Sequence, residues 1–235
     1  MNHKLPLQKH LSKPFNVSGY ETFTTVSIGI ALSNPDYKLP EDFLRDADTA
    51  MYQAKSLGKA RHVIFDKGMH ARAVNLLQLE TDLRLAIERG EFELHYQPLF
   101  DLEQNCICSF EALIRWNHPT RGMIQPGEFV PVAEDTGLIV PIGAWAVREA
   151  CARAATWPQN IRVAVNVSAV QFHRGALHET ILAALAASGL EPSRLEVEIT
   201  ESVFLEGGEA TLKLLHSLRS LGVRVALDDF GTGYS

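Results

Sequence analysis

Ser109 to Trp116 reads SFEALIRW, and its alternation decides the fold. Phe110, Ala112 and Ile114 share one face of an extended chain, while Glu111, Leu113 and Arg115 share the other. An acidic and a basic residue four apart on one strand face are unusual in a core element. Taken alone, the stretch fits a solvated edge strand. Three later stretches repeat the design. In Arg162 to Ser168 the valines 163, 165 and 167 stand opposite Ala164, Asn166 and Ser168. In Leu195 to Thr200 the apolar set Leu195, Val197 and Ile199 opposes Glu196, Glu198 and Thr200. In Val223 to Asp228 it is Val223, Val225 and Leu227 against Arg224, Ala226 and Asp228.

Helix-like segments separate the last three strands, which implies parallel pairing with helices packed outside. The apolar faces then meet helices and the polar faces converge on one interior. An open doubly wound sheet would carry apolar runs on both faces. A TIM-like (β/α) barrel with a polar mouth fits the alternation better. Glu111, Asn166, Glu198 and Asp228 lie toward the ends of their strands, with Asp229 just beyond, and parallel barrels do chemistry at the C-terminal strand ends. Carboxylates gathered this way repel one another unless a cation compensates them. The donors are hard oxygens without a Cys or His pattern, so Mg²⁺ or Mn²⁺ is expected rather than zinc. Sites of this kind activate water against phosphate esters, often with two ions roughly 4 Å apart.

FEALIRW, then NVS at Asn166 to Ser168, EITE at Glu198 to Glu201 and DDFGTGYS at Asp228 to Ser235 together resemble the EAL family of cyclic di-GMP phosphodiesterases. The resemblance runs from about Phe92 to the last residue. It implies a barrel whose first strand is antiparallel, and metal-assisted hydrolysis of cyclic di-GMP to linear pGpG. By motif match, Glu111, Asn166, Glu198 and Asp228 would be metal ligands. Asp229 would join a second ion and the water, Arg115 would contact substrate phosphate, and Glu201 would steady the adjacent loop. Gln97, in YQP, matches a substrate-side position. A non-catalytic cyclic di-GMP receptor and a regulatory interaction module are the alternatives the same motifs leave open.

Upstream, Thr22 to Ala31 is expected as a strand, Pro40 to Leu57 as a helix opened by Pro and stopped by Gly58, and Arg61 to Phe65 as a returning strand. These elements are too few for a self-sufficient core. TVSIGIA at Thr25 to Ala31 with ADTAMYQAKSLGKARH at Ala47 to His62 resembles the C-terminal part of a GGDEF domain, the diguanylate cyclase family. The signature loop of that family is absent, so no cyclase activity is expected, and Lys55 and Arg61 are read as solvated charges. Residues 1–67 are thus assigned to a GGDEF remnant, 68–90 to a linking helix, and 91–235 to the N-terminal part of an EAL domain.

Composition constrains the rest. With 46% hydrophobic and 21% charged residues, the chain has the make-up of a globular protein. A net charge of −6 argues against bulk nucleic-acid binding, but not against one nucleotide in a metal-filled pocket. Three cysteines make no disulfide framework, so a reduced cytoplasmic setting is expected. No apolar run is long enough to span a membrane, although a tether to the inner membrane through a preceding region is compatible with the sequence. A homodimer contact through the helix at Met69 to Gly90 is a second option beside its packing on the barrel. From Phe92 to Ser235 there are 144 residues, against about 250 in a complete barrel. Five strands are expected there, with crossover helices over Gly175 to Ser188, stopped by Gly189, and Gly208 to Leu221, stopped by Gly222. Trp145 and Trp157 are expected to fill core rather than bind a base. The chain reads as a fragment without turnover of its own.

Overall fold

A computed structural model describes residues 6–11, 13–17, 20–35, 37–174 and 176–228. The chain divides into two compact units, Met1–Leu77 and Gln78–Ser235.

The first unit contains α1 (Pro6–Leu11), β1 (Phe15–Val17), β2 (Tyr20–Thr22), β3 (Ile28–Ile30), α2 (Pro40–Ser56) and β4 (His62–Ile64). Strands β1 and β2 form an antiparallel pair, and β3 and β4 a parallel one. The strand expected over Thr22 to Ala31 is therefore shorter, reduced to β3 and to Thr22 at the end of β2. A strand extends only as far as its ladder, and β4 offers β3 three residues. Helix α2 begins with Pro40 in its first turn, and Glu41 and Asp42 there complement the helix dipole. It lies directly on β3 because Gly29 has no side chain. A Cβ there would stand 2.0 Å from the Ala47 carbonyl oxygen. On the other side of α2, buried Asp46 accepts hydrogen bonds from Tyr37 Oη at 2.8 Å and His70 Nε2 at 2.7 Å.

Helix α3 (Gly68–Arg89) follows, and in the second unit its Leu79, Leu83 and Ala86 are buried. Next come β5 (Phe92–Asp101), β6 (Cys106–His118), β7 (Gly122–Ile124), α4 (Pro126–Thr136) and α5 (Ile139–Ala154). The remainder is β8 (Arg162–Asn166), α6 (Ala169–Arg174), α7 (Leu177–Ser188), a 3₁₀ turn at Pro192–Arg194, β9 (Leu195–Thr200), α8 (Glu201–Ser220) and β10 (Arg224–Asp228). Among the described residues the sheet runs β10-β9-β8-β6-β5, with β7 also paired to β6. The pairs β6–β8, β8–β9 and β9–β10 are parallel, and β5–β6 is antiparallel. This is the expected α/β arrangement, antiparallel first strand included.

The predicted alternation holds cleanly on β9, whereas on β8 Ala164 is buried beside the valines, and on β10 Leu227, expected to meet helices, is 46% exposed. Ala112, Val163, Val165, Leu195, Val197 and Ile199 are buried together against α5, α7 and α8. A second cluster joins Leu79 and Leu83 of α3 to Phe92, Trp116, Ile124 and Phe129. Trp145 packs on Phe92, and Trp157 packs on Tyr96 and Phe110, so both indoles fill core as expected.

Two elements differ from expectation. Strand β7 was not foreseen, because Gly-Met-Ile is too short to show a period. It pairs as a hairpin with the end of β6, Trp116 opposite Ile124. Helix α8 begins at Glu201 rather than Gly208. Its backbone breaks at Gly208 (φ 53°, ψ −152°), a conformation open to a residue without Cβ, and then resumes. The crossover helix α7 does stop at Gly189, whose φ of 68° gives the left-handed cap.

Candidate functional site

The polar faces of β5, β6, β8, β9 and β10 form one continuous surface, and strand register decides who meets whom on it. Gln97 of β5 lies directly opposite Glu111 of β6. Asn166, the last residue of β8, lies directly opposite Glu198 of β9. Glu111 is in register with Ala164, one same-face step before Asn166, a rise of roughly 6.6 Å along a strand. The side chains close that diagonal, and Asn166 Nδ2 donates to Glu111 Oε1 at 2.7 Å. The structure therefore gathers Gln97, Glu111, Asn166 and Glu198 on four adjacent strands. Ala226 faces Glu198 across β9–β10, which puts Asp228 one same-face step further, in register with Thr200.

Glu111 and Glu198 are partly exposed and Asn166 is exposed, as a ligand-facing surface requires. Arg115 is on the same face, two same-face steps from Glu111 (roughly 13 Å) and opposite Glu93. Its guanidinium Nη1 donates to the Ile114 carbonyl at 2.8 Å. Glu201 is the first residue of α8 and Asp228 the last of β10, but their side chains lie outside the described part of the molecule. Asp229 lies outside the described residues altogether.

Residues not singled out from sequence share this face. Glu93 and His95 alternate with Phe92, Leu94 and Tyr96, and His95 Nε2 meets Glu93 Oε1 at 2.8 Å. The alternation of FELHYQP already contained that signal. Toward the N-terminal strand ends, Glu196 Oε2 lies 3.2 Å from Arg224 Nε and 3.9 Å from Arg162 Nε. On the opposite face, burial pushes the Tyr96 phenol up to about 12, with the Glu149 charge adding to the shift.

The donor chemistry suits a hard divalent cation. Glu111, Asn166 and Glu198 present oxygen ligands on neighbouring strands, and an amide between two carboxylates lowers the charge density that a cation must offset. Among the described residues no group of three or more His, Cys, Asp or Glu side chains is close enough to hold a metal. The set assembled here is two carboxylates and an amide.

The chain belongs to the EAL domain family, whose model matches residues 80–235. A second family model, the GGDEF domain of diguanylate cyclases, matches residues 5–61. MucR of Pseudomonas aeruginosa, a bifunctional diguanylate cyclase/cyclic di-GMP phosphodiesterase, is 42% identical over 97% of this chain and 34% of its own length. The cyclic di-GMP phosphodiesterase PdeR of Escherichia coli is 39% identical over 96% of this chain and 34% of its own. The chain thus spans about a third of the length of these curated relatives. Among solved structures, the PaMucR phosphodiesterase in complex with c-di-GMP is 45% identical. It superposes with a TM-score of 0.64 over 67% of this chain and 66% of that one. The FimX EAL domain from P. aeruginosa shares the fold at 24% identity, with a TM-score of 0.60 over 66% of this chain and 63% of that chain.

Proposed function

We propose that this chain carries the ligand face of a cyclic di-GMP phosphodiesterase, which hydrolyses the cyclic dinucleotide to linear pGpG in bacterial second-messenger signalling. The observation that carries the reading is the meeting of Glu111, Asn166 and Glu198, joined by the 2.7 Å hydrogen bond between Asn166 and Glu111. Residues 91–235 supply that face, 1–67 derive from a GGDEF domain, and 68–90 link the two. Cys106, Cys108 and Cys151 form no disulfide, which fits a cytoplasmic setting. Among the described residues no helix is long and apolar enough to cross a membrane.

In this reading Glu111, Asn166, Glu198 and Asp228 hold Mg²⁺ or Mn²⁺, and Asp229 joins them at a second ion. When bound, the metal supplies positive charge at the phosphodiester and an acidified water. The chain's own groups do the positioning. Gln97, opposite Glu111, orients the substrate from β5. Arg115, at the mouth end of β6, exchanges its carbonyl partner for a substrate phosphate oxygen, a charge-assisted bond stronger than the one it leaves. Glu201 steadies the loop at the start of α8.

Calorimetric titration of the 235-residue chain with Mn²⁺, and then with cyclic di-GMP in its presence, tests the proposal. Saturable binding of both, lost in Glu111→Ala, is expected. An unchanged isotherm in that variant would overturn it. Cyclic di-GMP binding that needs no Mn²⁺ and persists in Glu111→Ala would favour a receptor over an enzyme.

A further inference from the structure

Ser168, two residues after Asn166, is the hub of a hydrogen-bond network that the motif reading does not use. Its backbone N–H donates to Gln171 Oε1 at 3.1 Å, and its Oγ accepts from the Val170 N–H at 3.2 Å. This is a reciprocal N-cap at the start of α6, in the sequence Ser-Ala-Val-Gln, a capping box whose serine bonds the second rather than the third helical N–H. Gln171 is only 4% exposed. It fits because α5 has Gly143 beneath it, where a Cβ would stand 2.2 Å from Gln171 Nε2. One bond exceeds what a cap requires. The Ser168 hydroxyl donates to Glu134 Oε1 of α4 at 2.6 Å, across 34 residues of sequence.

Asn166 is thereby held from both sides. Its side chain donates to Glu111, the following Val167 N–H donates to the Glu198 carbonyl at 2.9 Å, and Ser168 is pinned to α4 and α6. We propose that Glu134 is a positioning residue for the ligand face, acting through Ser168 to fix the Asn166 amide between Glu111 and Glu198. The inference rests on the metal-site reading above. A fixed acceptor oxygen suits the role because the 2.6 Å bond holds a serine hydroxyl that would otherwise be free to rotate. Groups that orient ligands without touching the metal commonly change metal affinity by about 10- to 100-fold.

Two measurements on the full chain test this, one with metal and one without. In Mn²⁺ titration, Glu134→Ala is expected to weaken binding about tenfold, within the range for such supporting groups. Glu134→Gln should recover most of that loss, since the amide oxygen still accepts the serine proton. A purely structural role would lower the melting temperature of the alanine variant and leave Mn²⁺ affinity unchanged, which would sink the proposal. Equal loss in Gln and Ala would assign the effect to the Glu134 charge and also overturn it. The metal-free readout is the NMR resonance pair of the Asn166 side-chain amide, identified by its loss in Asn166→Asp. Glu134→Ala and Ser168→Ala should both move that pair toward the position of a freely rotating amide, and Glu134→Gln should not. Should the parent chain bind no Mn²⁺, the metal reading fails, while the amide shift still decides whether Glu134 positions Asn166. A pair unmoved in both alanine variants refutes the role.

Discussion

Asn166 donates its side-chain amide to Glu111 across 2.7 Å, joining strands whose residues are 55 apart in sequence. The register that sets Asn166 against Glu198 makes the amide a spacer between two carboxylates. Removing it exposes them to each other and deletes an oxygen donor. Asn166→Ala, Glu111→Ala and Glu198→Ala should each lower Mn²⁺ affinity at least about tenfold. Glu88→Ala, on the exposed surface of α3, should leave it unchanged. Calorimetry on the four variants checks this.

The sheet's other face should behave as ordinary core. Leu195 is fully buried among the β8 and β9 valines and the helices over them. Leu195→Ala should therefore cost about 2–5 kcal/mol, the range for cavity-forming core truncations. Glu196→Ala, one residue along on the partly exposed face, should cost less than about 1 kcal/mol, because its partner Arg224 is half exposed. Urea unfolding followed by the fluorescence of Trp116 and Trp145 would compare them.

Cysteine chemistry should separate an exposed thiol from a buried one. Burial on α5 pushes Cys151 up to about 12. At pH 8 that leaves about one thiolate in ten thousand, far below a free thiol. Cys106 is exposed on β6. Iodoacetamide at pH 8 should label Cys106 in the native protein and Cys151 only after unfolding, as read by mass spectrometry of the peptides.

Acid should loosen the first unit through Asp46. Burial raises its pKa, but hydrogen bonds from His70 and Tyr37, with the charges of His70 and Arg45, outweigh that and hold it below its ordinary value. A carboxyl depressed in the folded state stabilises fully above its unfolded pKa, near 4, and loses that contribution as pH falls through the folded value. Asp46→Asn should thus melt earlier than the parent at pH 6, and the gap should narrow as pH falls below about 4. A constant gap between the two melting curves would contradict the assignment.

Most of the fold was legible because alternation is a property of single strands. FEALIRW, the valines of β8 and LEVEIT each show which face meets helices, and the order of helices between them implies parallel pairing. The site was legible as a set of positions, not as contacts. That Asn166 reaches Glu111, and that Gln97 sits opposite it, depends on inter-strand register, which no single stretch encodes. The strand read over Thr22 to Ala31 shrinks to Ile28–Ile30 because its length is set by β4, a partner far along the chain. The Glu134–Ser168 bond was invisible for a similar reason. It joins a helix residue with no distinguishing neighbours to a capping serine that reads as local.

The parity of the sheet also makes the site a checkpoint on folding. Side chains alternate with a period of two, so a slip of one residue in β9 would turn Glu196 and Glu198 into the helix-packed layer and Val197 and Ile199 out to water. Burying two unpaired carboxylates there would cost several kcal/mol or force them to take up protons. The acidic residues that make up the ligand face thereby penalise misregistered pairings of their own strand. A substitution that neutralises them would relax that discrimination, and the folded population could then contain shifted sheets as well as an inactive site.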